Sequence, residues 1–267
     1  LNVYILPSFS HAIQIWYNNV NNTNYNGIIE SWNKLQSAHY KIILETSKAM
    51  NHTNYFTVCS IICSPTIHSL IKEIYLRKLI QVRMYNKVES QYISDETRQL
   101  FSDLDKLPFK MKNLTNRQSV YEEIHLQIMN ESFQQISNEA SNNPNGSIMH
   151  ALSFINLDYY TSQDRAKKAH RLFSYYISGM GFFGSSKIAA KFGIPINCEC
   201  GLPDTPKHRL FDKCHLYDNI RIQFKPHFNN LLINRNNVFQ IINLHYANFC
   251  KFIFEIEKIY RQNVDQT

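Results

Sequence analysis

No run of apolar residues in this 267-residue chain reaches the roughly 20 needed to cross a bilayer as a helix. A membrane-spanning segment is therefore not expected. The opening residues show no signal-peptide pattern. They begin with Leu1 rather than methionine, and the chain is expected to be a piece of something longer. Strand signals are almost absent and no internal repeat recurs, which argues against β-rich and repeat architectures. Cysteine is sparse, with six in the chain. Three of these (Cys59, Cys63 and Cys250) stand apart from the rest. Cys59 and Cys63 fall one helical turn apart in Val-Cys-Ser-Ile-Ile-Cys and are expected to pack as small apolar side chains. No disulfide framework is expected, and the chain suits a reducing, intracellular compartment.

Hydrophobic residues make up 44% of the chain, enough for a sizeable core. The formal net charge is +7 and the pI about 9.0, a balance that favours polyanionic partners such as nucleic acid. The abundant asparagine reflects an AT-rich coding sequence more than any chemistry.

The remaining cysteines fall in Cys198-Glu-Cys200-Gly, with His208 and Cys214 close behind. Three thiolates and an imidazole form a known tetrahedral zinc shell, which requires the backbone to fold back on itself. Pro195, Gly201, Pro203 and Pro206 supply turn chemistry for that. Gly201 can take positive φ beside the thiolates. Thr205-Pro206 reads as a helix N-cap followed by proline at the first helical position, placing His208 in the first turn. That helix must end near Asp212-Lys213, because six residues is not a whole number of turns and Cys214 would otherwise face away from His208. His215 is the alternative fourth donor should Cys214 point outward. Four protein donors leave no open position, so the site is expected to be structural.

Residues 28–49 carry Ile28, Trp32, Leu35, His39, Ile42, Ile43 and Thr46 at helical period. A short helix is expected over 54–62, stopping before Ser64-Pro65, and a third near 66–89. Residues 90–118 read as linker, 121–139 as helix, and 149–157 as strand or extended chain. From Ser162 a basic helix begins. Leu172, Phe173, Tyr176 and Ile177 form its apolar stripe, and Gly179, Gly181 and Gly184 end it. Short helices are expected over 185–192 and through Leu216, Ile220 and Phe224 to Pro226, with a long one over 239–260. The fold class is mostly α. It divides into a helical region 1–90, a linker and connecting helix 91–160, and a domain 161–267 with the basic helix, a small zinc knuckle and C-terminal helices.

Arg165, Lys168, Arg171, Lys187 and Lys191, with Lys167, cluster around the glycine turn and are the candidate phosphate contacts. Tyr175, Tyr176, Phe182 and Phe183 interleave with them. Aromatics among basic residues can stack on bases, but at helical spacing most are expected in the core.

Tyr-Tyr-Ile-Ser-Gly-Met-Gly-Phe-Phe-Gly (175–184), Lys-Phe-Gly-Ile (191–194), Cys-Glu-Cys-Gly (198–201) and Thr-Pro-Lys-His-Arg-Leu-Phe-Asp-Lys-Cys (205–214) together resemble the tail of LINE-type, non-LTR retrotransposon polyproteins. The subfamily most like it is the insect type-1 elements that insert into ribosomal DNA. Ile-Gln-Ile-Trp-Tyr (13–17), Leu-Gln-Ser-Ala-His (35–39) and residues 51–58 with 64–67 resemble the thumb downstream of the polymerase palm. The chain departs from the family at Met180, where the family has histidine, and at Tyr40, where it has arginine. Its knuckle also has one extra residue between His208 and Cys214.

The resemblance implies a polyprotein joining an endonuclease to a reverse transcriptase, an RNA-directed DNA polymerase that copies element RNA onto nicked chromosomal DNA. Such a polymerase holds two metal ions on carboxylates. No two aspartates are adjacent in this chain, and Asp103 and Asp105 lie in a polar stretch. No catalytic residue is therefore assigned, and Mg2+ belongs to polymerase and endonuclease domains expected upstream. What is implied for this segment is a thumb-like region and a Zn2+-bearing tail. They would grip element RNA or target DNA in the nucleus, with no membrane partner. Two other readings stand beside it: a stand-alone zinc-dependent nucleic-acid-binding module, and a helical scaffold with no nucleic-acid role.

Overall fold

The computed structural model describes residues 26–85, 117–141, 171–184 and 186–264. The architecture is mostly helical. Among the described residues there is no strand, and the one extended pairing is an isolated bridge between Asn197 and Pro203. The helices are α1 (Asn26–Ser47), α2 (Tyr55–Ile62), α3 (Ile67–Tyr85), α4 (Arg117–Ser141), α5 (Arg171–Ser178), α6 (Lys187–Lys191), α7 (Pro206–Phe211), α8 (His215–Phe224) and α9 (Val238–Val264). The α4 helix starts earlier than its periodicity predicts, inside the stretch read as linker. The segment boundaries expected near residues 90 and 160, and the extended chain expected at 149–157, lie outside the described residues.

The chain forms two compact units that interleave in sequence: residues 1–39 with 65–132, and residues 40–64 with 133–267. In the first unit, Ile67, Ile71, Tyr75 and Leu79 recur every four residues along α3 and bury against Val120, Ile124 and Ile128 of α4. Trp32 and Leu35 of α1 pack on this cluster. The Thr66 amide donates to Ser132 Oγ at 3.0 Å, tying the start of α3 to α4. Lys72–Glu131 (2.7 Å) lies on the exposed margin, where such a pair is worth under about 1 kcal/mol, while the buried Glu73 carboxylate meets His125 at 3.0 Å.

In the second unit, Asn54 caps α2 by accepting from the Phe56 amide. Cys59 is fully buried, as expected of a small apolar side chain. Cys63 is not its helical neighbour: it leaves the helix with φ 53 and is only half-buried, because the turn before Pro65 needs a left-handed residue there.

The α5 helix packs between α2 and α9. Phe173, Tyr176 and Ile177 are fully buried, and Phe173 meets Tyr246 and Phe249 edge-on. Burying a side chain of this size stabilises the fold by roughly 1.5–3 kcal/mol. Gly179 follows with φ 68, the left-handed residue that closes the helix.

The α8 helix forms where Leu216, Ile220 and Phe224 mark one, but they do not make its most buried face. Tyr217 and Arg221 are buried, while those three are half-buried. Cys214 explains this. It is buried at the N-cap, and residues three and seven positions later share its face. Pro226 does not end the helical path at once. A 3-10 turn, Lys225–Phe228, buries Phe228 against Phe224 and Phe252 before Asn229 and Asn230 turn left-handed.

Candidate metal centre

The segment between α6 and α8 is a folded-back loop followed by a one-and-a-half-turn helix. The Asp204 amide donates to the Ile196 carbonyl (2.9 Å), the Cys198 amide to Leu202 (2.8 Å) and the Gly201 amide to Cys198 (2.8 Å). These bonds close a tight turn whose tip is Gly201, at φ +87. The turn brings Cys198 and Cys200 together. Thr205 then caps α7, accepting from the His208 amide at 3.0 Å, and Pro206 occupies the first turn. Asp212 leaves helical geometry (φ −75, ψ 147), and the chain swings Cys214 inward as the N-cap of α8. Each of these local features matches the sequence expectation.

The donor atoms of Cys198, Cys200, His208 and Cys214 all lie within 4.8 Å of one another. Cys198 Sγ and Cys214 Sγ are 3.8 Å apart, and Cys200 Sγ lies 3.3 Å from His208 Nε2. A tetrahedral ion with bonds of about 2.3 Å to sulfur has sulfur–sulfur edges of about 3.8 Å, so the four side chains fit a metal such as zinc. His215, the alternative donor, is exposed and outside the cluster.

Burial raises the Cys198 thiol to about 12 and also raises Cys214, while it lowers His208, keeping that ring neutral. A dication entering the site at neutral pH therefore displaces thiol protons. His208 Nδ1 is buried without a hydrogen-bond partner, and Asp212 Oδ2 stands 3.9 Å from it. Carboxylates commonly orient a ligating imidazole from this side. A movement of about 1 Å would bring Asp212 within hydrogen-bonding reach.

Beneath the cluster lies a buried polar core. Arg209 is 0% exposed. Its Nε and Nη2 donate to the two oxygens of Asp204 at 2.6 Å each, its Nη1 to Glu257 Oε1 at 2.6 Å, and Nη2 also to the Phe182 carbonyl at 2.9 Å. The guanidinium stacks over Tyr260 and Phe183. Burial opposes its charge, but the hydrogen bonds to Asp204 and the nearby carboxylates outweigh this and hold it protonated well above the usual arginine range. Tyr176 donates to Glu257 at 2.9 Å. Burial first, and the Glu257 charge with it, keep that phenol protonated. Asp204 also accepts from the Gly184 amide at 2.8 Å. A β-carbon on Gly184 would sit 2.0 Å from the Pro195 carbonyl oxygen, so only glycine fits there. From α8, Arg221 donates to the carbonyls of His208 and Arg209 at 2.9 Å each, capping α7.

Sequence reasoning missed this network. One signal was available: Glu257 stands on the apolar stripe of α9, four residues after the buried Ile253 and eight after Phe249. A carboxylate at a core position calls for a buried cation.

Of the candidate phosphate contacts, Arg165 and Lys168 lie outside the described residues. Arg171 is exposed at the start of α5 and bonds the Tyr175 hydroxyl. Lys187 opens α6, and Lys191 is exposed at its end. Of the interleaved aromatics, Tyr175, Tyr176 and Phe183 are buried, whereas Phe182 is exposed. Comparison with known proteins finds no matching family model, no matching curated protein and no matching solved structure.

Proposed function

We propose that Cys198, Cys200, His208 and Cys214 hold one structural zinc ion. We propose further that the chain is the C-terminal portion of a non-LTR retrotransposon polyprotein, in which this knuckle and its basic neighbours hold nucleic acid. The observation that supports the metal reading best is the convergence of three sulfurs and one imidazole nitrogen within 4.8 Å, delivered by a turn, a helix and a helix N-cap. Soft thiolates with one imidazole suit zinc, and four protein donors leave no position for substrate.

The retrotransposon reading rests on the order and spacing of the motifs in 175–214. The grip on nucleic acid rests on the net charge of +7 and on the exposed Arg171 and Lys191. In the intact polyprotein, reverse transcription and target nicking would belong to upstream domains. This segment would position element RNA and chromosomal DNA for them in the nucleus, without contributing a catalytic residue.

The test is made on the purified 267-residue chain. One zinc per chain by elemental analysis, and none in Cys198→Ser, supports the metal reading; no zinc in the wild type overturns it. Anisotropy titration with RNA and DNA oligonucleotides tests the grip. Five phosphate contacts on a single strand give a slope of about −3.5 in log K against log salt. Absence of binding even at low salt would overturn the nucleic-acid role.

A further inference from the structure

Two exposed rings stand next to the metal site. Phe182, in the glycine turn after α5, is 40% exposed, and Phe192, directly after α6, is 66% exposed. Their centroids are 5.7 Å apart and the rings meet edge to face. The two rings thus present a paired aromatic surface to solvent. Ile196, 67% exposed, has its carbonyl against Gly184 of the same turn.

The platform is rigidly based. The Phe182 carbonyl accepts from Arg209, Ser186 Oγ donates to the Gly181 carbonyl at 2.7 Å, and the Ser186 hydroxyl caps α6 by accepting from the Ala189 amide at 3.0 Å. The Phe192 amide donates to the Ala189 carbonyl at 2.9 Å. Both rings thus project from backbone that is tied to the buried core.

The charge along this stretch of the sequence selects the occupant. Between residues 165 and 198 the sequence has six basic residues (Arg165, Lys167, Lys168, Arg171, Lys187 and Lys191) and no aspartate or glutamate. Exposed Lys191 immediately precedes Phe192. A polyanion carrying flat apolar groups matches both features at once, and unpaired nucleotides are such a polymer. A duplex offers the same phosphates, but its bases are already stacked.

We propose that Phe182 and Phe192 form a stacking platform for unpaired nucleobases, so that the chain selects single-stranded over double-stranded nucleic acid, with Lys191 on the adjoining phosphate. This deepens the nucleic-acid reading above and rests on it.

The experiment titrates the full chain with four fluorescent probes: a thymidine 12-mer, a uridine 12-mer, an abasic deoxyribose-phosphate 12-mer and a 12-base-pair duplex. Wild type binds the two base-bearing single strands at least tenfold more tightly than the abasic strand or the duplex. Phe182→Ala/Phe192→Ala lowers affinity for the base-bearing strands by at least about fivefold for each ring removed, leaving the abasic affinity and the salt slope unchanged. Phe192→Tyr, which keeps a ring, retains wild-type affinity. Lys191→Glu weakens the abasic and base-bearing strands alike. Circular dichroism and the thermal midpoint check that each variant is folded. If the double variant does not fold, Phe192→Ser at the more exposed position carries the same comparison for one ring.

Equal binding of the thymidine and abasic strands by wild type overturns the stacking platform while the electrostatic grip stands. Failure of wild type to bind any probe at low salt overturns the underlying reading as well. A wild-type dimer in sedimentation velocity that Phe182→Ala/Phe192→Ala converts to monomer would assign the rings to a second copy of the chain and also overturn the proposal.

Discussion

Removing the Arg209 guanidinium should loosen the C-terminal unit about as much as truncating one of its large buried aromatic side chains. The side chain is fully buried and makes four hydrogen bonds to three partners: Asp204, Glu257 and the Phe182 carbonyl. Arg209→Ala leaves two carboxylates and a carbonyl facing a void with no cation. Breaking a buried ion pair by deleting one partner costs about 3–5 kcal/mol. At about 1.36 kcal/mol per tenfold, that is a loss of roughly a hundred- to several-thousand-fold in the equilibrium constant for opening.

The described tryptophan, Trp32, belongs to the other unit, so the readout here is taken from the amides. Amide hydrogen exchange along α9, around Ile253 to Glu257, is the suitable assay. Protection there should fall by the stated factor in Arg209→Ala. It should fall less in Arg209→Lys, which keeps the charge but loses the planar fork that meets both oxygens of Asp204. In a double-mutant cycle with Glu257→Gln the effects should not add, because the second change removes one of the stranded charges. If α9 protection in Arg209→Ala stays within threefold of wild type, the network is not a stabilising element and the reasoning fails.

His39 is buried in the first unit, and burial lowers its pKa to about 4, against about 6.5 when unfolded. The unfolded chain therefore takes up a proton that the native one refuses, so stability falls as pH drops from 6.5 to 4 and levels below that, by up to about 3 kcal/mol. Urea midpoints followed by tryptophan fluorescence should show this slope, and His39→Gln should flatten it; an unchanged slope in the variant would assign the effect elsewhere. Gly184→Ala places a β-carbon 2.0 Å from the Pro195 carbonyl oxygen, and should lower the stability of the second unit by at least about 2 kcal/mol in the same exchange assay. Asp212→Ala removes the carboxylate nearest His208 Nδ1 and should weaken zinc binding about 10- to 100-fold in a chelator competition; an affinity within twofold of wild type would show that Asp212 does not support the imidazole.

The helices and the four donors were legible because their signals are local. Apolar residues recur at three and four positions along α1, α3 and α5. Thr205-Pro206 marks a helix start, and Gly201 marks a turn whatever surrounds it. What was not legible depends on partners far away in the chain. The Arg209–Glu257 pair joins residues 48 positions apart, and nothing near Arg209 distinguishes it from the exposed cations upstream. The buried face of α8 has the same origin. Its periodicity admits Leu216 and Ile220 as the inward set until Cys214 is fixed at the N-cap and selects Tyr217 and Arg221. Cys63 shows the opposite failure: four-residue spacing suggested a helical pair, but the approaching proline had already ended the helix.

Arg209 also sets the smallest excisable piece. A synthetic peptide covering residues 195–224 would contain every sulfur and the imidazole, yet its arginine would have lost the carboxylate that arrives from α9. Such a miniature would capture metal loosely and keep no fixed shape around it. Any minimal version of this centre has to run on past Tyr260, so the ion and the last helix should be acquired, and lost, together.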